Sequence, residues 1–213
     1  MHPSLYFETL HHNSSIRLFK LRALVFEALQ VNWPYTDYLM SYVTVQCLNI
    51  WSNFARAYYL SCTLKPISET GSKINLSNKS VGTFYDAIQV AVNKYKKYSA
   101  KKGVLNRQDE PAWYRPDIII NCCQEIGCSN YVSILSAFST KTQVFDHLPK
   151  FRNYYAHKNG DTATIAKSVA VQYSISNNLQ PTQILLSVPY GRRNALMQEW
   201  IQDINITVEL LCR

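Results

Sequence analysis

From about Thr36 to Leu64, the apolar residues Met40, Val43, Cys47, Ile50, Phe54 and Ala57 recur at alternating intervals of three and four. That is the spacing of one helical face sustained over many turns, the seam of a helix bundle and not the two-residue alternation of a half-buried strand. A helix of this length has to bury its stripe against other helices, and the remaining chain supplies them. Residues 14–31 set Leu18, Leu21, Val25 and Leu29 on one face behind Ser14 or Ser15 as N-cap, and Asn32-Trp33-Pro34 ends the run. A third helix is expected over 82–101, with Phe84, Ile88, Ala91, Tyr95 and Tyr98 toward the core. A helix capped at Asp117 is expected through Cys123, with further helical turns to about Phe138, then helices over 146–159, from Asp161 or Thr162 to Tyr173, and over 192–211. The last of these carries Leu196, Trp200, Ile204 and Leu211 on its apolar side. Residues 65–80 and 102–116 read as connections, and 174–190, with Pro181 and Pro189, as a polar segment holding a short extended piece at Ile184-Leu185-Leu186. The expectation is an all-α chain of four to six principal helices with additional helices and long loops, forming a single domain over residues 1–213.

Composition narrows the function classes. Hydrophobic content of 47% and charged content of 17% belong to a chain with a packed core, not to a disordered one. No apolar run approaches the ~18 residues of a membrane span, and His11, His12, Arg17, Lys20 and Arg22 interrupt the N-terminal apolar residues, so neither a membrane anchor nor a signal peptide is expected and the chain reads as cytoplasmic. The six cysteines read as reduced, partly buried thiols. Cys122, Cys123 and Cys128 have no paired C-x-x-C spacing and no histidine near them, so no metal site and no cofactor are expected. The net charge of +8 points toward a polyanionic partner. Lys94, Lys97 and Lys101 fall together beside the core face of the third helix, with Lys96 and Lys102 extending the field and tyrosines interleaved. This is either a surface that tracks phosphates or a solvated face with snorkelling lysines. Asn49, Asn53 and Arg56 form a polar stripe on the long second helix, either solvated or in support of a functional site.

The densest chemistry lies in Phe151-Arg152-Asn153-Tyr154-Tyr155-Ala156-His157. Pro149 suits a first helical turn and Gly160 a stop just past the histidine. Leu148, Phe151 and Tyr155 share the core-facing stripe. Asn153 and His157 are i, i+4 neighbours on the opposite side, and Arg152 lies about 140° around the helix from His157. A neutral imidazole can take or return a proton near pH 7, a guanidinium can hold a phosphate by a fork of N–H bonds, and an amide can orient either one. Together these groups suit cleavage of an RNA phosphodiester without a metal, because the attacking 2′-hydroxyl is already in the substrate.

The segment from Leu148 to Asn159, with Arg152, Asn153 and His157 in the positions of an Arg-polar-x3-His motif, resembles the signature helix of the HEPN superfamily, small all-helical proteins of prokaryotic toxin–antitoxin, abortive-infection and CRISPR-linked defence systems. The resemblance implies a HEPN-like helical bundle and a metal-independent endoribonuclease acting as a toxin or antiviral defence effector. It implies a homodimer whose two motif helices form one composite site, with Arg152, Asn153 and His157 catalytic. Lys150 and Lys158, which flank the motif, join Lys94, Lys97 and Lys101 as candidate RNA contacts. Where some family toxins carry a tyrosine two residues after the histidine, modified by a partner nucleotidyltransferase, this chain has Asn159, which argues against that control. The other reading is a non-catalytic helical subunit that binds RNA or protein in a defence or toxin–antitoxin complex. Either way, an antitoxin or another complex subunit is an expected partner.

Overall fold

A computed structural model describes residues 1–95, 107–140 and 142–213. Every regular element among them is helical, and strand-like pairing is confined to isolated bridges such as Tyr6 with Ile67 and Leu76 with Cys128. The chain is all-α. Its α-helices are α1 (Phe7–Ala28), α2 (Tyr35–Ser61), α3 (Phe84–Tyr95), α4 (Pro116–Glu125), α5 (Tyr131–Phe138), α6 (Val144–His157), α7 (Gly160–Ser168), α8 (Pro181–Leu186) and α9 (Leu196–Cys212). None of the described helices is long and apolar enough to cross a membrane.

The residues group into two compact units, and three of the four boundaries fall within α1, α2 and α9, the fourth between α5 and α6. One comprises Met1–Ser14, Trp51–Lys141 and Thr207–Arg213, the other Ser15–Ile50 and Thr142–Ile206.

The first unit is built on the end of α2, where Phe54, Ala55 and every residue from Ala57 to Cys62 are buried. Tyr58 stacks on Phe7 with ring centroids 4.6 Å apart, and Trp51 meets Phe138 edge-on at 6.1 Å. The buried polar ends find partners: Trp51 Nε1 donates to the Tyr114 carbonyl at 2.8 Å and Tyr59 Oη to that of Ala87 at 2.8 Å, while Tyr58 Oη accepts from Asn130 Nδ2 at 2.8 Å. The second unit centres on Trp200 of α9, which packs edge-on against Phe151 at 5.5 Å and Tyr173 at 5.9 Å. Within it α7 packs against α6 and α8.

The seam of α2 is where its spacing puts it, with Met40, Val43, Cys47, Ile50, Phe54 and Ala57 all buried. Several other elements differ from the sequence expectation. α1 begins at Phe7, and Ser14 is an interior residue whose Oγ turns back to the Leu10 carbonyl at 2.8 Å, satisfying itself without capping. Leu29 lies beyond the helix end and is exposed. The buried face of α3 is Ala87, Ala91 and Val92, while Phe84 and Tyr85 are exposed, so the larger residues lost to a rotation that seats small ones in the contact. Tyr98 lies outside the described residues. Ile184-Leu185-Leu186 is helical, not extended, because Gln183 Oε1 accepts from the Gln180 backbone N–H at 2.9 Å and caps α8 behind Pro181.

The helix expected through Cys123 is α4, starting at Pro116 and running to Glu125, and the further turns to Phe138 are α5; Gly127, at φ +70°, separates them. The Gly127 carbonyl accepts from Ser77 N at 3.0 Å, and a Cβ here would lie 1.9 Å from Ser77 Oγ. A side chain is excluded both by the left-handed backbone and by the strap packed over it. Gly127→Ala is expected to cost about 1–3 kcal/mol, measured as a lowered denaturant midpoint with an unchanged slope.

Candidate functional site

α6 carries the motif. It opens after Thr142, whose Oγ1 accepts from Val144 N at 3.3 Å and donates to Asp203 Oδ2 at 2.6 Å. Pro149 therefore sits inside the helix and not in its first turn. It has no N–H for the Phe145 carbonyl, so one rung of the backbone ladder is missing midway along α6. The inner face is Val144, Phe145, His147, Leu148, Phe151 and Tyr155, all buried. Leu148, Phe151 and Tyr155 are the three that spacing assigns to the core.

Gly160 is not the stop. Lys158 ends the helix in a left-handed conformation, φ +44°, with its N–H on the Tyr154 carbonyl at 2.6 Å. Asn159 then caps α7, its Oδ1 accepting from Thr162 N at 2.9 Å. Gly160 is the first residue of α7. Neither Asp161 nor Thr162 has the capping role, because Asn159 satisfies the donor that a cap would take, and α7 stops at Ser168, with a 3-10 turn over Ala170–Tyr173.

A buried carboxylate holds this junction. Asp37, near the start of α2, accepts from Thr182 Oγ1 at 2.5 Å through Oδ1 and pairs with Lys158 Nζ at 2.7 Å through Oδ2. With its proton given to Asp37, Thr182 accepts from Tyr155 Oη at 2.7 Å. Burial pushes the Tyr155 hydroxyl up, and it stays a neutral donor. Tyr155 from the inner face and Lys158 from the end thus both tie α6 to one group. Lys158 is consequently engaged in an ion pair, and the Asp37 contact raises its ammonium pKa. Its Nζ also lies 6.0 Å from the centroid of the exposed Tyr38 ring.

On the outer face Arg152, Asn153 and His157 are all exposed. Arg152 Nη1 makes a long hydrogen bond of 3.4 Å to Asn153 Oδ1. Among the described residues no side chain hydrogen-bonds or ion-pairs with His157. Asn153 thus meets Arg152 and stands one turn before His157 on the same side of α6. Two grooves, of about 220 and 460 Å³, are lined by other residues, the smaller by Ser15, Leu18, Phe19, Arg22, Ile201, Gln202 and Asn205. The triplet stands on an open face.

α6 has a second imidazole that sequence reasoning passed over. His147 is buried, with Nδ1 at 3.0 Å from Tyr173 Oη, which also accepts from Trp200 Nε1 at 3.0 Å. Burial first, then the charge of Lys150, lowers its pKa to about 4. One helix therefore presents a neutral, packed histidine inward and an exposed one outward. Position on the helix was the available signal: His147 shares the face of Phe151 and Tyr155, and His157 does not.

The remaining candidate contacts divide. Lys150 is partly exposed, with no ion pair among the described residues. Lys94 pairs with Glu125 at 2.5 Å, which raises its pKa and occupies its charge. Lys97 and Lys101, with Lys96 and Lys102, lie outside the described residues. The polar stripe of α2 is neither solvated throughout nor free to serve a site. Arg56 grips Glu110 through two bonds, of 2.5 and 2.7 Å, and Arg107 Nη2 donates to Asn53 Oδ1 at 2.8 Å. Burial raises the Glu110 pKa, but the Arg56 and Trp113 donors outweigh it and the net shift is downward.

One constellation was not anticipated. Cys62, in the 3-10 turn after α2, Cys123 on α4 and Cys128 just past Gly127 bring their sulfurs within 4.8 Å of one another, all buried. Hydrogen bonds from Cys123 and Cys62 lower the Cys128 pKa against the effect of burial. Chain separation hid this, since Cys62 belongs to a different part of the sequence from the other two.

No family model matches the chain, and no curated protein and no solved structure matches it either. Function has to be read from the residues themselves.

Two outcomes follow from this geometry. Asp37→Ala leaves Thr182 and Lys158 without their acceptor and frees the hydroxyl to which Tyr155 donates, and is expected to cost about 2–4 kcal/mol in chemical denaturation. His147 binds its proton less readily folded than unfolded. Across the window from its ordinary value of 6.5 down to about 4 the unfolded chain holds more protons, so stability falls as pH falls and levels off below it. In His147→Gln the melting temperature is expected to depend less on pH across that window.

Proposed function

We propose that the chain is a metal-independent endoribonuclease of the HEPN type, acting as a toxin or antiviral defence effector. The observation that carries the reading is the outward placement of Arg152, Asn153 and His157 on the last turns of α6, with none of the three spent on the core. A triplet kept for packing would be engaged on the inner face, as His147 is.

In this mechanism Arg152 holds the scissile phosphate by its forked N–H groups and offsets the charge that grows on the oxygens. His157 takes the proton of the 2′-hydroxyl as that oxygen attacks phosphorus. A second imidazole, from another copy of the chain, returns a proton to the departing 5′-oxygen. Asn153, in contact with Arg152, orients the pair. The products are a 2′,3′-cyclic phosphate and a 5′-hydroxyl, and no water or metal enters the step. A homodimer suits the open face, since one helix separates Arg152 from His157 by about 140° and a facing helix supplies the missing side of the crevice. Exposed Tyr35, Tyr38 and Tyr42 line one side of α2 and offer flat faces on which unpaired bases stack. With the charges of Lys94 and Lys158 already paired, Lys150 and Arg152 are, among the described residues of this set, the lysine and arginine left for phosphate contact.

The test is incubation of purified protein with total RNA in excess EDTA. Cleavage giving cyclic-phosphate ends is expected, and His157→Ala or Arg152→Ala should reduce it by about 10²–10⁴-fold with an unchanged circular dichroism spectrum. Full activity in His157→Ala would overturn the assignment. A wild-type protein that binds RNA without cutting it, alone or with a co-expressed partner, would favour the non-catalytic subunit instead.

A further inference from the structure

The three-cysteine cluster lies apart from the α6 triplet in the sequence and plays no part in the proposed cleavage. We propose that Cys62, Cys123 and Cys128 form a trithiolate site for a soft d10 cation, monovalent copper or zinc.

The ligand set is sulfur alone, which selects thiophilic metals over magnesium, calcium or manganese. Among the described residues this is the one group of three or more histidine, cysteine, aspartate or glutamate side chains that converges closely enough to hold an ion. Three sulfurs each about 2.3 Å from one metal lie about 4 Å from one another, so the observed spread, within 4.8 Å, asks for only a small contraction. Cubane and rhombic iron–sulfur clusters use four cysteines, and three are present here.

The backbone holds the sulfurs in place without the metal. Cys123 closes the last turn of α4 and its carbonyl accepts from Cys128 N at 3.0 Å, so the two residues are bonded to each other across the Gly127 turn. The bridge from Leu76 to Cys128 clamps the same turn from the other side. Cys62 is fixed by the 3-10 turn, where Lys65 N donates to its carbonyl at 3.2 Å. Of the three, Cys128 borders the groove of about 460 Å³ lined also by Leu76, Ser77, Gln124 and Gly127, which brings solvent to the edge of the cluster. Cys47 and Cys212 are buried as well but belong to no such group, and serve as internal controls.

Binding exchanges thiol protons for the ion and involves no redox step. Copper(I) is satisfied by three thiolates in a plane. Zinc requires a fourth ligand, which a water entering from the groove at Cys128 would supply. The role is to join α2, α4 and the turn at Gly127, so the proposal stands or falls separately from the nuclease reading.

The experiment titrates the reduced 213-residue chain, under anaerobic conditions, with copper(I) as its acetonitrile complex and in parallel with zinc sulfate. One equivalent is expected to bind, with a raised melting temperature and a sulfur shell in X-ray absorption. Three sulfurs alone identify copper(I), and three sulfurs with one oxygen identify zinc. Cys62→Ser, Cys123→Ser and Cys128→Ser should each weaken binding at least tenfold, the loss that even a supporting partner of a ligand causes. Cys47→Ser and Cys212→Ser should not. Should a serine variant fail to fold, the sulfur count and the metal-dependent melting shift of the wild type decide the matter alone. Absence of both, or binding unaffected by Cys62→Ser, would show three thiols that merely pack.

Discussion

Asp37 fixes the end of α6. A carboxylate 7% exposed is costly to bury unless its oxygens are filled, and here one takes the Thr182 hydroxyl and the other the Lys158 ammonium. Because Tyr155 donates to Thr182, the same carboxylate reaches the inner face of α6 as well as its C-cap, Lys158. Burial of Phe151 and Leu148 sets which side of the helix faces inward, and Asp37 sets where the helix stops. The outward triplet inherits its direction from both. None of its own members needs an internal partner for that.

The contrast between the two histidines of α6 shows how one helix assigns different chemistry to one residue type. His147 meets Tyr173 and Trp200, loses its water and is held neutral far below its ordinary range. His157 stands at the helix terminus among exposed groups. Only burial and partners separate them, since the side chains are the same. A purely compositional search for reactive imidazoles would rank them equally.

Periodicity exposed the parts of the fold that depend on burying one face. The α2 seam, the inward face of α6 at Leu148, Phe151 and Tyr155, and the Leu196–Trp200–Ile204 side of α9 are all set by hydrophobic spacing, which needs no knowledge of partners. The misplaced boundaries share another cause. Ser14, Gly160 and Pro149 are residues whose local preference points to a terminus, but each was overruled by a neighbour: a back-bond to Leu10, the capping side chain of Asn159, and the tertiary burial that carries α6 through its proline. The face of α3 was misjudged because small residues can make the closest contact where large ones are expected. For the triplet, spacing revealed a shared stretch of helix and its outward direction. The Asp37 anchor, the neutral His147 and the cysteine cluster all join segments distant in the chain, and nothing in one sequence reports such proximity.

The turn between α6 and α7 consists of Lys158 and Asn159, one committed to Asp37 and the other to Thr162. So short and so occupied a joint leaves no slack to absorb rotation of α6 about its own axis. Re-aiming Arg152 would drag α7 along and break the pairing of Lys158 with Asp37. Under the proposed reading, control of that surface is therefore better achieved by a cover than by a twist of α6.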